Sequence, residues 1–285
     1  MNSHDAIDQL RDAMKVRNYS DSTASNYTRL VNGFFEFVKG QPTGQTFPEY
    51  VKAYILRLRY FKRPTWSASS VNLCRDAIAF FAANVMNPPV SLKDIPRMKE
   101  PKALPEPMTT EEIQTIFAHE NNRKHLLMLQ VAYYGCVRLG DLMRMKVKDV
   151  RFDRGLIHII QGKGKKDRLI PFPDCIHDVM KAHITGLNSD DYVFTPSGSK
   201  NPYPKRTIQK IAENACRRAE IVGRWNIHRF RHTGATHLVQ NGVNLRIIQD
   251  ILGHASPKTT MLYTRVAASD ISNMRNVLVE ATKVS

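Results

Sequence analysis

Six prolines, Pro88, Pro89, Pro96, Pro101, Pro105 and Pro107, crowd the stretch from 87 to 108. Each locks φ, removes a backbone N–H and clashes with the turn before it, so neither a regular helix nor a central strand passes through. An extended, semi-stiff connection is what remains. The chain is therefore expected to form a helical domain over 1–90, a proline-rich linker over 91–108 and a second domain over 109–285. Two domains suit a length of 285 residues. Thr109-Thr110-Glu111-Glu112 closes the linker as a capping box, in which Thr109 and Glu112 satisfy each other's backbone N–H and open a helix.

The first domain reads as helices throughout. The cluster Ser20-Asp21-Ser22-Thr23 is rich in N-cap residues and precedes Tyr27, Leu30, Val31, Phe34, Phe35 and Val38 at helical spacing. A helix near Pro48 to Phe61 carries Tyr50, Val51, Tyr54, Ile55 and Leu58. Another begins after Ser67 and carries Val71, Leu73, Ile78, Phe80 and Phe81. The phenylalanine pairs are read as core. Arg57, Arg59, Lys62, Arg63 and Arg75 can follow a phosphate backbone or line a solvated face.

The second domain is mixed. Helices are expected over 110–119, 122–134, 139–146, 174–185, 205–220, 229–240, 244–252 and 257–265, with a last apolar-periodic segment carrying Ile271, Met274, Val277 and Leu278. Leu156 to Ile160 and Arg168 to Phe172 read as β runs joined by a basic tip, Gly162-Lys163-Gly164-Lys165-Lys166-Asp167. The fold class is thus α+β, mainly α with a small β-hairpin or sheet.

Charge narrows the partner. Lys and Arg number 42 against 26 acidic residues, a net charge of +16, with +6 up to Pro105 and +10 beyond it. Positive charge spread over both halves calls for an anionic partner, and nucleic acid is the first candidate. Cys74, Cys136, Cys175 and Cys216 lie far apart without metal-ligand spacing, so reduced structural thiols are expected and no metal. No apolar run approaches the length of a membrane span. The N-terminal residues do not read as a secretory signal, so a cytoplasmic location is expected.

Four segments carry chemistry. They are Gly135-Cys136-Val137-Arg138-Leu139-Gly140-Asp141-Leu142, the hairpin tip around Lys163, the run His228-Arg229-Phe230-Arg231-His232, and Leu252-Gly253-His254-Ala255 followed by Tyr263. In this order they resemble the tyrosine recombinase (phage integrase) family, over about Thr109 to Val266. The first domain resembles that family's SAM-like core-binding module by architecture. The resemblance implies two catalytic arginines, Arg138 and Arg231, a hairpin lysine, Lys163, two histidines, His228 and His254, and a nucleophile, Tyr263. Lys165 and Lys166 share the tip, and the position between two glycines selects Lys163. Gly140 and Asp141 depart from the family pattern, where a small hydroxyl residue and Glu are usual, and are read as drift in a supporting shell.

The residue types fit that chemistry. A phosphodiester under attack concentrates negative charge on its non-bridging oxygens, and Arg138 and Arg231 offer forked, permanently charged donors to them. Such donors contribute roughly 3–4 kcal/mol each. His228 and Arg231, three apart on one helix, share a face, whereas Arg229 points elsewhere, toward backbone or solvent. A tyrosine hydroxyl titrates near ~10 and needs a base or cationic field, which His228 and the arginines supply. Lys163 is the candidate acid for the leaving 5′-oxygen, and His254 is implied to hydrogen-bond the scissile phosphate. His232 and His237 are read as structural. No cofactor is expected, because a phosphotyrosine bond keeps the energy of the broken linkage, and no phosphate-cradling Gly-x-x-x-x-Gly-Lys-Ser/Thr loop is present.

The resemblance implies strand exchange through a 3′-phosphotyrosyl intermediate and a Holliday junction. It also implies double-stranded DNA with a specific recombination site as partner. The protein is expected to self-associate as a dimer on one site and a tetramer in synapse, with room for accessory proteins. The segment from about Ala267 to Val284 is expected to dock on a neighbouring protomer. The early start of the helical domain suggests the simple Xer-like or resolvase-like two-domain type. Two rivals are a non-catalytic DNA-binding protein on the same scaffold, which the full set of six residues disfavours, and a monomeric type IB topoisomerase-like enzyme.

Overall fold

The computed structural model describes residues 3–62, 64–100, 106–160, 167–171, 173–223 and 226–253. The chain divides into two compact units, Met1–Ala103 and Leu104–Ser285.

Caps and apolar spacing account for the helices of the first unit: α1 (Ser3–Val16), α2 (Asp21–Lys39), α3 (Phe47–Leu56) and α4 (Ala68–Asn84). Ser20 accepts the Thr23 N–H at 3.3 Å and starts α2, and Ser67 does the same for Ser70 at 3.2 Å and starts α4. Such a cap satisfies a donor that the first helical turn leaves open. Helix α3 runs on into a π turn over Arg57–Phe61. Leu10, Met14, Val31, Phe34, Val51, Leu58, Cys74, Ile78 and Phe81 form the core, with Phe35 and Phe80 packed against it. Leu73, expected on the apolar stripe of α4, is instead 39% exposed. Of the basic residues with two readings, Arg59 donates to the Trp66 carbonyl and Arg75 to the carbonyls of Ile95 and Leu92. Both arginines therefore hold backbone.

The proline-bearing segment after α4 contains no helix or strand among its described residues. Over 90–100 it is folded onto α4. Asn72 donates to the Met98 carbonyl at 3.0 Å and accepts the Met98 N–H at 2.7 Å, so one buried amide completes both backbone groups of Met98.

The second unit contains α5 (Thr110–Ala118), α6 (Arg123–Tyr134), α7 (Leu139–Arg144), β1 (Val150–Arg151), β2 (Leu156–Ile159), β3 (Arg168–Pro171), α8 (His177–Ile184), α9 (Lys205–Arg218), α10 (Ile227–Gln240) and α11 (Leu245–Leu252). The capping box is present, with Thr109 accepting from the Glu112 N–H and Glu112 from the Thr109 N–H. Seven residues of α6, from Leu127 to Tyr134, are buried, the pattern of a helix enclosed on most sides. Its close neighbour is α10, where Gly234 lets the two backbones touch at the Tyr133 carbonyl. The sheet is antiparallel in the order β1-β2-β3, pairing Val150 with Ile157 and Ile157 with Ile170. The hairpin of β2 and β3 matches the sequence reading, while β1 was not expected. The helix expected at 257–265 and the last apolar-periodic segment lie outside the described residues.

Three cysteines, Cys74, Cys136 and Cys216, are buried, and burial pushes each thiol up to about 12. Cys175 is exposed. Among the described residues no helix is long and apolar enough to cross a membrane.

Candidate active site

The site is built around the last turn of α11. A helix end leaves its final carbonyls without intrahelical partners and carries the negative end of the macrodipole. Here three consecutive carbonyls each accept from a different arginine. Arg168 Nε donates to Ile251 O at 2.9 Å, Arg231 Nη2 to Leu252 O at 2.9 Å, and Arg138 Nη2 to Gly253 O at 3.0 Å. Gly253 makes this possible: it caps the helix at φ 59 and ψ 47, a left-handed conformation that glycine adopts without steric cost.

Arg138 is the N-cap residue of α7 and is delivered by a tight turn after α6. Cys136 in that turn has φ 48, rare for a residue with a side chain, and its carbonyl accepts from Arg231 Nη1. Arg231 is only 6% exposed and spans from the α6–α7 turn to the end of α11. Two guanidiniums from sequence segments 93 residues apart thus meet at one helix terminus.

His228 stands one turn before Arg231, near the start of α10, where Asn226 caps the helix by accepting the His228 N–H at 2.9 Å. The residue is exposed, yet partial burial lowers its pKa from 6.5, and the positive charges of Arg231, Lys205 and Arg138 lower it further. The neutral imidazole is therefore the favoured form, as a proton acceptor requires. Arg229 donates to the Glu106 carbonyl at 2.8 Å, on backbone as expected. His237 is structural: Nε2 meets the Met108 carbonyl at 2.9 Å, so that nitrogen carries the proton, and Nδ1 accepts from the Tyr133 hydroxyl at 2.8 Å.

Of the six residues singled out in the sequence, Arg138, His228 and Arg231 come together. Lys163, His254 and Tyr263 lie outside the described residues. Three further participants emerge from the structure. Asp141 is 4% exposed and accepts from Arg168 at 2.7 Å and Arg144 at 3.0 Å, a firmer role than drift in a supporting shell. Arg168 is 8% exposed, on the face of β3 that also buries Ile170. A charge in register with buried isoleucine was the available signal. Lys205, the first residue of α9, adds its charge to the field at His228.

The profile described as the phage integrase family matches residues 106–270, and one described as the phage integrase N-terminal SAM-like domain matches residues 7–92. The chain belongs to the phage integrase family. Membership makes it a tyrosine recombinase, a site-specific recombinase enzyme. Tyrosine recombinase XerA of Pyrococcus furiosus is 30% identical over 275 residues, covering 94% of this chain and 91% of the relative. A tyrosine recombinase of Pseudothermotoga lettingae is 30% identical over 279 residues, covering 94% and 95%. Among solved structures, a lambda integrase dimer bound to a COC′ core site shares the fold of this phage integrase family member. Its TM-score is 0.72 at 16% identity, with 96% of this chain and 100% of that chain covered.

Proposed function

We propose that this recombinase cleaves and rejoins DNA through a covalent bond between the Tyr263 oxygen and a 3′ phosphate, with Arg138 and Arg231 binding the scissile phosphate. The observation that carries the reading is the meeting of Arg138 and Arg231 at the end of α11, immediately before His254 in the chain, with His228 one turn before Arg231 on α10 and within the field of both. Helix-end carbonyls hold the two guanidiniums. A phosphate with full negative charge competes well for such forked donors.

In the reaction, His228 in its neutral form takes the Tyr263 proton, and the phenolate oxygen attacks phosphorus. The arginines, with His254, stabilise charge on the non-bridging oxygens. Lys163 gives its proton to the departing 5′-oxygen. The reverse sequence on a partner strand's 5′-hydroxyl completes the exchange and passes through a Holliday junction. Partners are double-stranded DNA bearing a recombination site and further copies of this chain, two on a site and four in synapse, acting in the cytoplasm. Residues 1–90 supply the core-binding domain and 109–285 the catalytic one.

A nicked suicide DNA site tests this reading. Wild-type protein should form an adduct with the DNA that survives SDS, and Tyr263→Phe should form none. Covalent trapping by the Phe variant would overturn the nucleophile assignment.

A further inference from the structure

We propose that Arg168 is a positioning residue for strand cleavage, locking the last turn of α11 to α7 so that Arg231 and Arg138 converge on one phosphate. The inference rests on the reading of those two arginines given above.

The geometry is specific. Arg168 uses Nε on Ile251 O at 2.9 Å and Nη2 on Asp141 Oδ2 at 2.7 Å, so a single planar fork bridges α11 and α7. Ile251 O is the first in the row of three carbonyls whose next two hold Arg231 and Arg138. Asp141 lies three residues after Arg138, on the helix that Arg138 caps. The bridge therefore touches both the anchor of Arg231 and the helix that presents Arg138. Gly253 sits against it: a Cβ there would lie 3.0 Å from Arg168 Cδ and 3.5 Å from Arg138 Nη1. Arg168 opens β3, the strand leaving the hairpin tip, paired with Ile159 of β2.

Stability alone does not explain a charge in this place. A buried ion pair is a poor stabiliser, because apolar residues of similar volume often serve as well or better. What it supplies is a fixed geometry, and lysine, with one ammonium, cannot reproduce the two-edged fork.

The test compares Arg168→Lys with the double variant Asp141→Asn, Arg168→Met, both in the full chain. The double variant removes the pair together and so avoids leaving a buried carboxylate unpaired. Readouts are Tm, affinity for site DNA, single-turnover adduct formation on the suicide site, and the NMR signals of the Arg138 and Arg231 Nε–H groups. The double variant should regain wild-type Tm and bind DNA within about threefold, yet cleave about 100-fold more slowly, the scale of a misplaced reacting group. Arg168→Lys should shift both arginine signals and lower cleavage at least about tenfold. A double variant cleaving within about threefold of wild type would overturn the inference, as would unmoved arginine signals in Arg168→Lys. If wild-type protein forms no adduct, the phosphate reading fails, and the arginine signals still decide whether Arg168 positions its neighbours.

Discussion

Arg231 donates to the carbonyl oxygen of Leu252 at 2.9 Å, twenty-one residues further along the chain, and that bond ties α10 to the end of α11. The same guanidinium reaches the Cys136 carbonyl in the turn that delivers Arg138. One side chain therefore joins three segments: the turn before α7, α10 and the end of α11. Both of its terminal nitrogens donate to backbone carbonyls, which fixes the plane of the guanidinium.

Gly253→Ala should disturb this arrangement selectively. The position is left-handed, and an added Cβ presses on Arg168 Cδ and approaches Arg138 Nη1. The backbone penalty is about 1–2 kcal/mol. Urea unfolding should report that loss, while single-turnover cleavage should fall by more than about tenfold, because the carbonyls holding both arginines move with the residue.

Gly234→Ala should act on stability first. A Cβ there would collide with the Tyr133 carbonyl of α6 and crowd Cys136 Sγ at 3.2 Å. Backbone cannot rotate away as a flexible side chain can, so α6 and α10 must separate. Overpacking of this kind costs about 3 kcal/mol. A fall of several degrees in Tm would follow. An unchanged Tm would mean that the two helices do not pack as described.

Local chemistry made much of the fold legible. Ser20, Ser67 and Thr109 announce helix starts, and each accepts the expected backbone N–H. Apolar spacing identified α2 and α3. What escaped was long-range or very short. Strand β1 is two residues, too brief for any alternation to declare itself. Asp141 and Arg168 are 27 residues apart, and Arg168 and Ile251 are 83, so no local pattern encodes their bridge. Motif order singled out Arg138, His228 and Arg231 in the sequence, and the structure sets the first and last of them on consecutive carbonyls at the end of α11. Lys205 stayed hidden because a lysine opening a helix has no distinguishing neighbours in sequence.

DNA affinity should fall steeply with salt. The net charge of +16 is shared between the two halves of the chain, and each phosphate neutralised releases counterions. With about six or more phosphate contacts, a plot of log K against log salt should have a slope near −5 or steeper. Fluorescence anisotropy on a site duplex from 50 to 200 mM salt (about the range over which such binding weakens a thousandfold) measures it. A slope near zero would contradict an interface built on phosphate contacts.

The pH dependence follows from His228. Its folded pKa lies below 6.5, through partial burial first and then the charges of Arg231, Lys205 and Arg138. A group depressed in this way binds its proton more readily in the unfolded chain. The stability it contributes is therefore complete above the unfolded value near 6.5 and is lost as pH falls toward the folded value. His237 and His125 are lowered as well, chiefly by burial, and add to the same loss. In the proposed mechanism the neutral imidazole is the active form, so the acid limb of kcat/KM, which reports the free enzyme, should lie below pH 6.5. His228→Gln should lower the rate and remove that limb. An acid limb above pH 6.5, or one unchanged in His228→Gln, would mean that another group accepts the proton.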